Sequence, residues 1–386
     1  MLAGSRSSIS LRRASTISIS AGSMSNKKMT QQVLSVVGDT FADIVCSPLE
    51  RLPCWGTDTL VPEPIRIMLG GSAANFAVHA TTLGGSNVHY DDDNRQTDRP
   101  IAAAATDNRP PYRQSCVLHS SVAGDQLGEF VRKQLSEAKV ELSQMRVGKD
   151  QGACVVLSGK DDRGFLSHRG SLSEFCRDDI DVPRLLKSSH VHIAGFYNCP
   201  ALEKDLPQLL SEVRAGGATC SLGPQWDASE KWEGLEEVYP MLDVFLSNED
   251  EILQISRQID LSEAASFLLK KGVGLVVVTR GARGAVAISH RSPTSDGCVG
   301  GVQENFGASD FVHRKWEQRC TQVEVVDTTG AGDAFSAGFL CAWKATGGDV
   351  QVALKWGCAV GSAVVSRVGA SGHLSVDDDI RPNLTI

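Results

Sequence analysis

"VVDTTGAGDAFSAGFL", residues 325–340, sets seven residues of turn chemistry, Asp327 to Asp333, between an apolar run and an apolar helix pattern. Before the turn, "TQVEVV" (321–326) reads as a strand. After it, small and apolar residues from Asp333 onward suit a buried helix. The first-turn amides of such a helix have no internal partner and lie at the positive end of its dipole. Gly330, Ala331 and Gly332 leave them bare, so an anion can approach closely. Asp333 brings a carboxylate to the same place, which suits a base that takes a proton from an attacking hydroxyl. The alternative for D-x-x-G-x-G-D is a helix cap by Asp327 or Thr328, with glycines permitting the bend. No GxxxxGK[ST] occurs, so this is not a Walker loop. "AFSAG" is not a hydrolase elbow, because Ser336 falls inside the helix.

Further out, "HVHIAGF", "ATCSLG", "VFLSN" and "GLVVVT" alternate with helical stretches such as "SEAASFLLKKG" from residue 190 onward. That alternation predicts an α/β domain with a mostly parallel sheet, whose ligands bind beyond the carboxyl ends of the strands. Upstream, "VLSVV" is a strand ending at Gly38, and "LGGSAANFAVHATTLGG" predicts a helix over 73–83 stopped by Gly84 and Gly85. Residues 89–115 are polar, carry three prolines and read as an insertion, with the next strand resuming at "CVLHSSV". The segment 290–320 is equally irregular. Both are expected to be surface loops.

The chain has 386 residues, 41% hydrophobic and 22% charged, an ordinary globular composition. Its formal charge of −8 argues against a nucleic-acid surface, and no apolar run is long enough for a membrane span. The 11 cysteines are scattered without a CxxC pair. Most, such as Cys154 and Cys341, sit in apolar runs as small hydrophobes, consistent with a reducing compartment. The first 38 residues lack Asp and Glu but carry Arg6, Arg12, Arg13, Lys27 and Lys28 among many Ser and Ala. Residues 1–30 therefore read as a mitochondrial or plastid transit peptide, or else as a disordered tail of a cytoplasmic protein.

"DTTGAGDAFSAGF" is similar to the second signature of the ribokinase family, the pfkB carbohydrate kinases, and "GGSAANFAVHATTLGG" resembles the first. The resemblance runs from about Val33 to about His373, broken by the insertion. It implies a kinase domain over 33–386 with a three-layer α/β/α core and a small β lid from about 44–70 and 150–170. It also implies ATP- and Mg2+-dependent phosphorylation of a hydroxymethyl group on a sugar or sugar-like substrate. Asp333 would be the base, and the amides of Gly330, Ala331 and Gly332 the anion hole. Asp43 in "GDTFADI" would grip sugar hydroxyls, with Gly70, Gly71 and Asn75 beside it. The turn "AGDQLG" (123–128) corresponds to a structural element of the family.

Asn248 and Glu251 of "SNEDE" would organise Mg2+ through its waters, although "NEDE" alone is simply a capped, acidic helix start. Thr279, Gly281 and Gly284 of "TRGARG" would flank the nucleotide, and Cys358 holds an adenine-side position that is often Asn. "SRVGAS" (366–371) would border adenine and a monovalent cation, with Asp327 and Thr329 as K+ ligands. Gly223 stands where Asn often precedes the proline. "AGFYNCP" has Tyr197 and Asn198 where ribokinases carry an acid, which argues against ribose.

Two other functions stay open. One is a nucleoside kinase of the same family, with Phe41, Trp55 and Phe196 available for a base slot. The other is a catalytically silent binding protein, against which the intact Asp333 turn speaks. The expected partners are a small sugar or nucleoside and a second copy meeting through the lid, with no nucleic acid and no membrane.

Overall fold

Runs such as "VFLSN" and "GLVVVT" carry apolar side chains at successive positions, so both faces of each strand need cover. The computed structural model describes residues 32–85, 114–159, 163–290, 302–305, 312–367, 369–372 and 374–384. Chain order begins with β1 (Gln32–Gly38), β2 (Phe41–Leu49), β3 (Arg66–Gly70), α1 (Ser72–Gly85) and β4 (Gln114–His119). Next come α2 (Gln126–Glu137), β5 (Glu141–Ser143), β6 (Ala153–Gly159), β7 (Arg163–His168), α3 (Val182–Leu185) and β8 (His190–Ala194). They are followed by α4 (Leu206–Ala215), β9 (Thr219–Gly223), β10 (Val244–Asn248), α5 (Glu249–Ser256), α6 (Leu261–Lys270) and β11 (Leu275–Thr279). The chain closes with β12 (Ala285–His290), β13 (Val302–Asn305), β14 (Val312–Gln318), α7 (Ala331–Ala345) and α8 (Val350–Val365).

The large sheet has the order β13-β14-β12-β11-β10-β9-β8-β1-β4-β5. From β11 through β5 the pairing is parallel, and β12, β14 and β13 extend it antiparallel at one edge. Leu275 and Val277 pack with Phe76, Phe335, Phe339 and Leu354 of α1, α7 and α8. Val276 and Val278 pack on the other side with Leu209, Ile252 and Leu268 of α4, α5 and α6. The result is the ribokinase-like three-layer α/β/α core. Strand order reverses at β1, which lies between β8 and β4, so the cleft beyond its carboxyl end is the natural ligand position.

A second sheet, β3-β2-β6-β7, covers this end of the core. Its inner side chains Val45, Cys154 and Val156 join Leu172 and Phe175 in the core. Ile67, Phe165 and Leu166 are exposed.

Three expectations need correction. Thr321–Val326 is not a strand: the Val326 and Asp327 amides both donate to the Val365 carbonyl, at 2.8 and 3.2 Å, so a helix end takes the bonds a sheet would need. Segment 290–320 is not only loop, because β13 and β14 extend the sheet. Arg314, Lys315 and Glu317 disguise β14 as polar chain, yet such charges suit a strand near a sheet edge, and Trp316 between them is buried against α8. Helix α7 begins at Ala331, two residues before Asp333, with Gly330 rather than Asp327 or Thr328 as its cap. The insertion lies outside the described residues except for its end, since β4 already starts at Gln114. The N-terminal 30 residues also lie outside them. Among the described residues no helix is long and apolar enough to cross a membrane.

If β14 is integral to the core, Trp316→Ala should cost about 3–5 kcal/mol in urea unfolding, as large aromatic deletions do. A change within about 0.5 kcal/mol, the range of ordinary surface substitutions, would return the segment to loop status.

Candidate active site

The first turn of α7 follows from two glycines that serve different ends. Gly330 has φ +74°, and a Cβ there would lie 2.3 Å from the Ala370 Cβ, so the fold itself demands glycine. Gly332 has ordinary helical backbone with no atom within 4 Å of a would-be Cβ. The space it leaves is the cleft. Ala331 N–H makes a 3.4 Å bond to the Thr328 carbonyl. The Gly332 and Asp333 amides follow in a turn whose N–H groups have no intrahelical acceptor.

Asp333 keeps a partly exposed surface at the cleft, but enough protein surrounds its carboxylate that desolvation raises its pKa to about 7. Asn75 Nδ2 donates to Asp333 Oδ2 at 2.9 Å, and the Ser72 hydroxyl also donates to the carboxylate. Gln225 Nε2 in turn donates to Ser72 Oγ. The buried Asn75 Oδ1 has no protein partner, leaving an acceptor beside the Asp333 carboxylate.

Asp43 lies on β2 with its carboxylate against Gly70, where a Cβ would come within 2.3 Å of every carboxyl atom. Gly71 (φ +94°) lets the chain turn tightly over Asp39 and Thr40. Sequence reasoning missed Asp39 itself, the residue that organises this end. Its Oδ1 accepts from Ala73 N at 3.0 Å and its carbonyl from Ala74 N at 3.3 Å, so it caps α1 from 34 residues away. Its Oδ2 accepts from Asn198 Nδ2 at 2.7 Å. Burial raises the pKa of Asp39. Burial first, and then the nearby charges of Asp39 and Asp327, raise that of Asp43 to about 7. The "GD" after a strand was a visible signal, but a cap so distant in sequence has no local pattern. Of the aromatics named for a base slot, Phe41 and Phe196 are buried among core side chains, and Trp55 is fully exposed.

At the other end of the cleft, Asn248 and Glu251 form a reciprocal capping box on α5. Glu251 N donates to Asn248 Oδ1 at 2.8 Å, and Asn248 N donates to Glu251 Oε2 at 3.0 Å. Burial raises the Glu251 pKa to about 7. Strand register sets Thr279 beside Asn248. Gly281 (φ +56°) and Gly284 (φ +87°) shape the loop after β11, and a Cβ on Gly284 would sit 2.0 Å from the Gln318 carbonyl. Cys358 Sγ donates to that same carbonyl at 3.8 Å. A cavity of about 300 Å3 opens here, lined by Gln318, Thr321, Lys355 and Cys358 among others. A larger one, about 560 Å3, includes Val33 and Ser115 near the amino ends of β1 and β4, away from these groups.

Asp327 ties the turn before α7 to the segment after α8. Its oxygens accept from Thr329 N and Gly369 N, both at 2.9 Å. The buried His79, whose pKa burial lowers to about 4, is neutral and donates Nε2–H to the Ala370 carbonyl at 2.8 Å. Arg163 of β7 was not foreseen either. Its guanidinium reaches the Thr328 and Thr329 hydroxyls, at 2.9 and 3.2 Å, joining the small sheet to the turn before α7. Among the described residues no three His, Cys, Asp or Glu side chains converge to hold a metal ion. Mg2+ commonly keeps several of its waters and shares phosphate oxygens rather than sitting in a dedicated protein cage.

The model of the pfkB family carbohydrate kinases matches residues 32–376. The chain belongs to this family. It is accordingly an ATP-dependent phosphotransferase, and ribokinase-like kinases use ATP with Mg2+. Among curated relatives of this pfkB kinase, the ATP-dependent ribose-1-phosphate kinase of Halopiger xanaduensis is 27% identical over 263 residues, 67% of this chain and 77% of that one. The fructoselysine 6-kinase of Escherichia coli is 24% identical over 346 residues, 88% of this chain and 99% of its own. The solved ribokinase of Arabidopsis thaliana, complexed with ribose and ATP, has a TM-score of 0.69 at 19% identity, covering 92% and 100%.

The two glycines of this pfkB kinase should separate stability from chemistry. Gly330→Ala should destabilise the fold by about 1–3 kcal/mol, the usual cost of a strained backbone position. Gly332→Ala should leave the melting temperature unchanged and lower kcat/KM by at least about tenfold, about 1.4 kcal/mol of barrier. Unchanged kinetics in Gly332→Ala would put the phosphates elsewhere.

Asp43 generates a pH prediction. A carboxyl whose pKa rises from 3.8 to about 7 on folding binds more protons in the folded state. It therefore favours the fold at low pH, and that contribution is lost as pH rises through this window. Asp43→Asn removes the dependence, so it should raise the melting temperature at pH 8 by a few degrees. The gain should shrink towards pH 5. An equal effect at both pH values would mean that Asp43 is ionised throughout.

Proposed function

We propose that this chain transfers the γ-phosphoryl group of ATP to a hydroxymethyl group of a sugar or sugar-like molecule. The observation that carries the reading is Asp333. It is a carboxylate on the first turn of α7 whose pKa burial brings to about 7, beside helix amides that an anion can reach. The phosphates would lie on the 330–332 amides, where the helix dipole favours negative charge. Asp43 accepts hydrogen bonds from the substrate hydroxyls, and Asn75 bonds both the base and the substrate. Asp333 takes the proton from the attacking hydroxyl as its oxygen forms a bond to phosphorus and the bond to ADP breaks. Asn248 and Glu251 would hold Mg2+ through its waters, and the ion would offset charge on the phosphates. Asp327 and Thr329, with the 366–371 loop, would be the site of a monovalent cation.

The small sheet acts as a lid over the substrate end, and Arg163 is its link to the phosphate turn. The exposed Ile67, Phe165 and Leu166 support a second copy meeting this one through the lid. The acid-free N-terminus supports import into a mitochondrion or plastid; as a mere tail it would leave the enzyme in the cytoplasm. The sugar reading is favoured over the nucleoside one because two of the three aromatics expected to form a base slot, Phe41 and Phe196, are buried.

A panel of sugars and nucleosides assayed for ATP consumption tests the substrate, and activity on none would favour a silent binding protein. With the substrate in hand, Asp333→Asn should lower kcat by about 10²- to 10⁴-fold. Wild-type kcat/KM should fall as pH drops below about 7, when the base becomes protonated. A variant retaining wild-type kcat would overturn the mechanism.

A further inference from the structure

Ten cysteines lie in the described residues, all as free thiols. Cys116, Cys199, Cys220 and Cys341 are buried, with thiol pKa values pushed up by desolvation, and are inert packing groups. Cys320 and Cys358 differ. Cys320 follows β14 and is partly exposed, Cys358 lies midway along α8, and both line the 300 Å3 cavity with Arg319 and Lys355. The two side chains lie against each other. The single Cys358 S–H is within reach of two acceptors, the Cys320 sulfur and the Gln318 carbonyl, and Ser362 adds a donor to Cys320, so the Cys320 pKa falls below the ordinary thiol range although burial opposes it. A lowered thiol beside a second one is the arrangement that oxidants select.

The position of the pair gives it a consequence. Cys358 Sγ donates to the Gln318 carbonyl, and the backbone at Gly284 lies directly against that carbonyl. The pair therefore backs the loop assigned above to the nucleotide.

We propose that Cys320 and Cys358 are a redox-responsive modification site, closed to a disulfide by hydroperoxides, and that closure weakens binding of ATP. The Cys320 thiolate attacks one peroxide oxygen, the O–O bond breaks, and the departing hydroxide takes a proton to become water. Cys320 is left as a sulfenic acid. The Cys358 sulfur then displaces its oxygen, the S–S bond forms, and a second water leaves with the Cys358 proton. Two electrons pass from the sulfurs to the peroxide. Cys358 thereby loses the S–H that it donated to Gln318, and the loop behind Gly284 loses its anchor. A dithiol restores both thiols by exchange. The gating half of this proposal rests on the reading of this loop as the ATP site.

The test treats the full chain with hydrogen peroxide, blocks remaining thiols with an alkylating reagent and maps peptides without reduction. ATP KM is measured on the same samples before and after dithiothreitol. The expected result is a Cys320–Cys358 linked peptide lacking two hydrogens, together with a several-fold rise in ATP KM that dithiothreitol reverses. Cys320→Ser and Cys358→Ser, each compared with itself before and after peroxide, should lose that rise. No linked peptide, or linkage to a different cysteine, overturns the thiol chemistry. A linked peptide with unchanged ATP KM overturns the gate. A reduced protein that consumes no ATP would instead overturn the phosphoryl-donor reading and the gate with it, while the linked peptide still decides the thiol pair.

Discussion

One buried carboxylate holds the ligand end of this fold together. Asp39 leaves the carboxyl end of β1, caps the first turn of α1 and receives Asn198 from the segment after β8. Three elements that are far apart in sequence thus meet on two oxygens. The contact constrains its neighbours: Gly195 cannot carry a side chain, because a Cβ would lie 2.5 Å or less from all three carboxyl atoms. The fixed position of α1 then sets Ser72 and Asn75 against Asp333, so the proposed base at the start of α7 is aimed by a helix from the opposite end of the chain.

The same carboxylate also shapes the electrostatics. Asp43 and Asp333 are each desolvated, and each feels the charge of Asp39. Carboxylates held this way favour their neutral forms near pH 7, a state that suits neither hydroxyl recognition nor base catalysis. The donors already present, Asn75 and Ser72 at Asp333, pull in the opposite direction but do not outweigh burial. The site is therefore poised, with ionisation near neutral pH decided by what binds.

Much of this was legible in the sequence where the chemistry is local. The turn at 327–333 marked itself as a candidate anion site because glycines and an aspartate fall within one helical turn, and Gly70 stands against the carboxylate it accommodates. Parallel strands were readable from their continuous apolar runs. What failed were contacts with no local signature. Asp39 looked like any turn aspartate, since its partners lie 34 and 159 residues away. Arg163 looked like a surface charge, since its acceptors lie 165 and 166 residues further on. "TQVEVV" has the residues of a strand, but the helix end at Val365 takes the Val326 amide and that of Asp327 after it. "VHRKWEQ" erred in the opposite direction, its charges hiding the single tryptophan that anchors it.

The poised acids also explain why substrate recognition and catalysis are not independent in such a site. A hydroxyl that donates to Asp43 stabilises its ionised form and draws its pKa down. Cations brought with the nucleotide act in the same sense on Asp333 and Glu251, whose pKa values burial has raised to about 7. Neither ligand alone relieves all the desolvated carboxylates, because Asp43 lies at the substrate end and Glu251 at the nucleotide end. Only when both are bound does each of the three gain a further opposing charge or donor beyond those the protein supplies. Asp333, the proposed base, is then most fully ionised in the ternary complex, where an accepting hydroxyl is present, and least so when ATP would otherwise meet water alone.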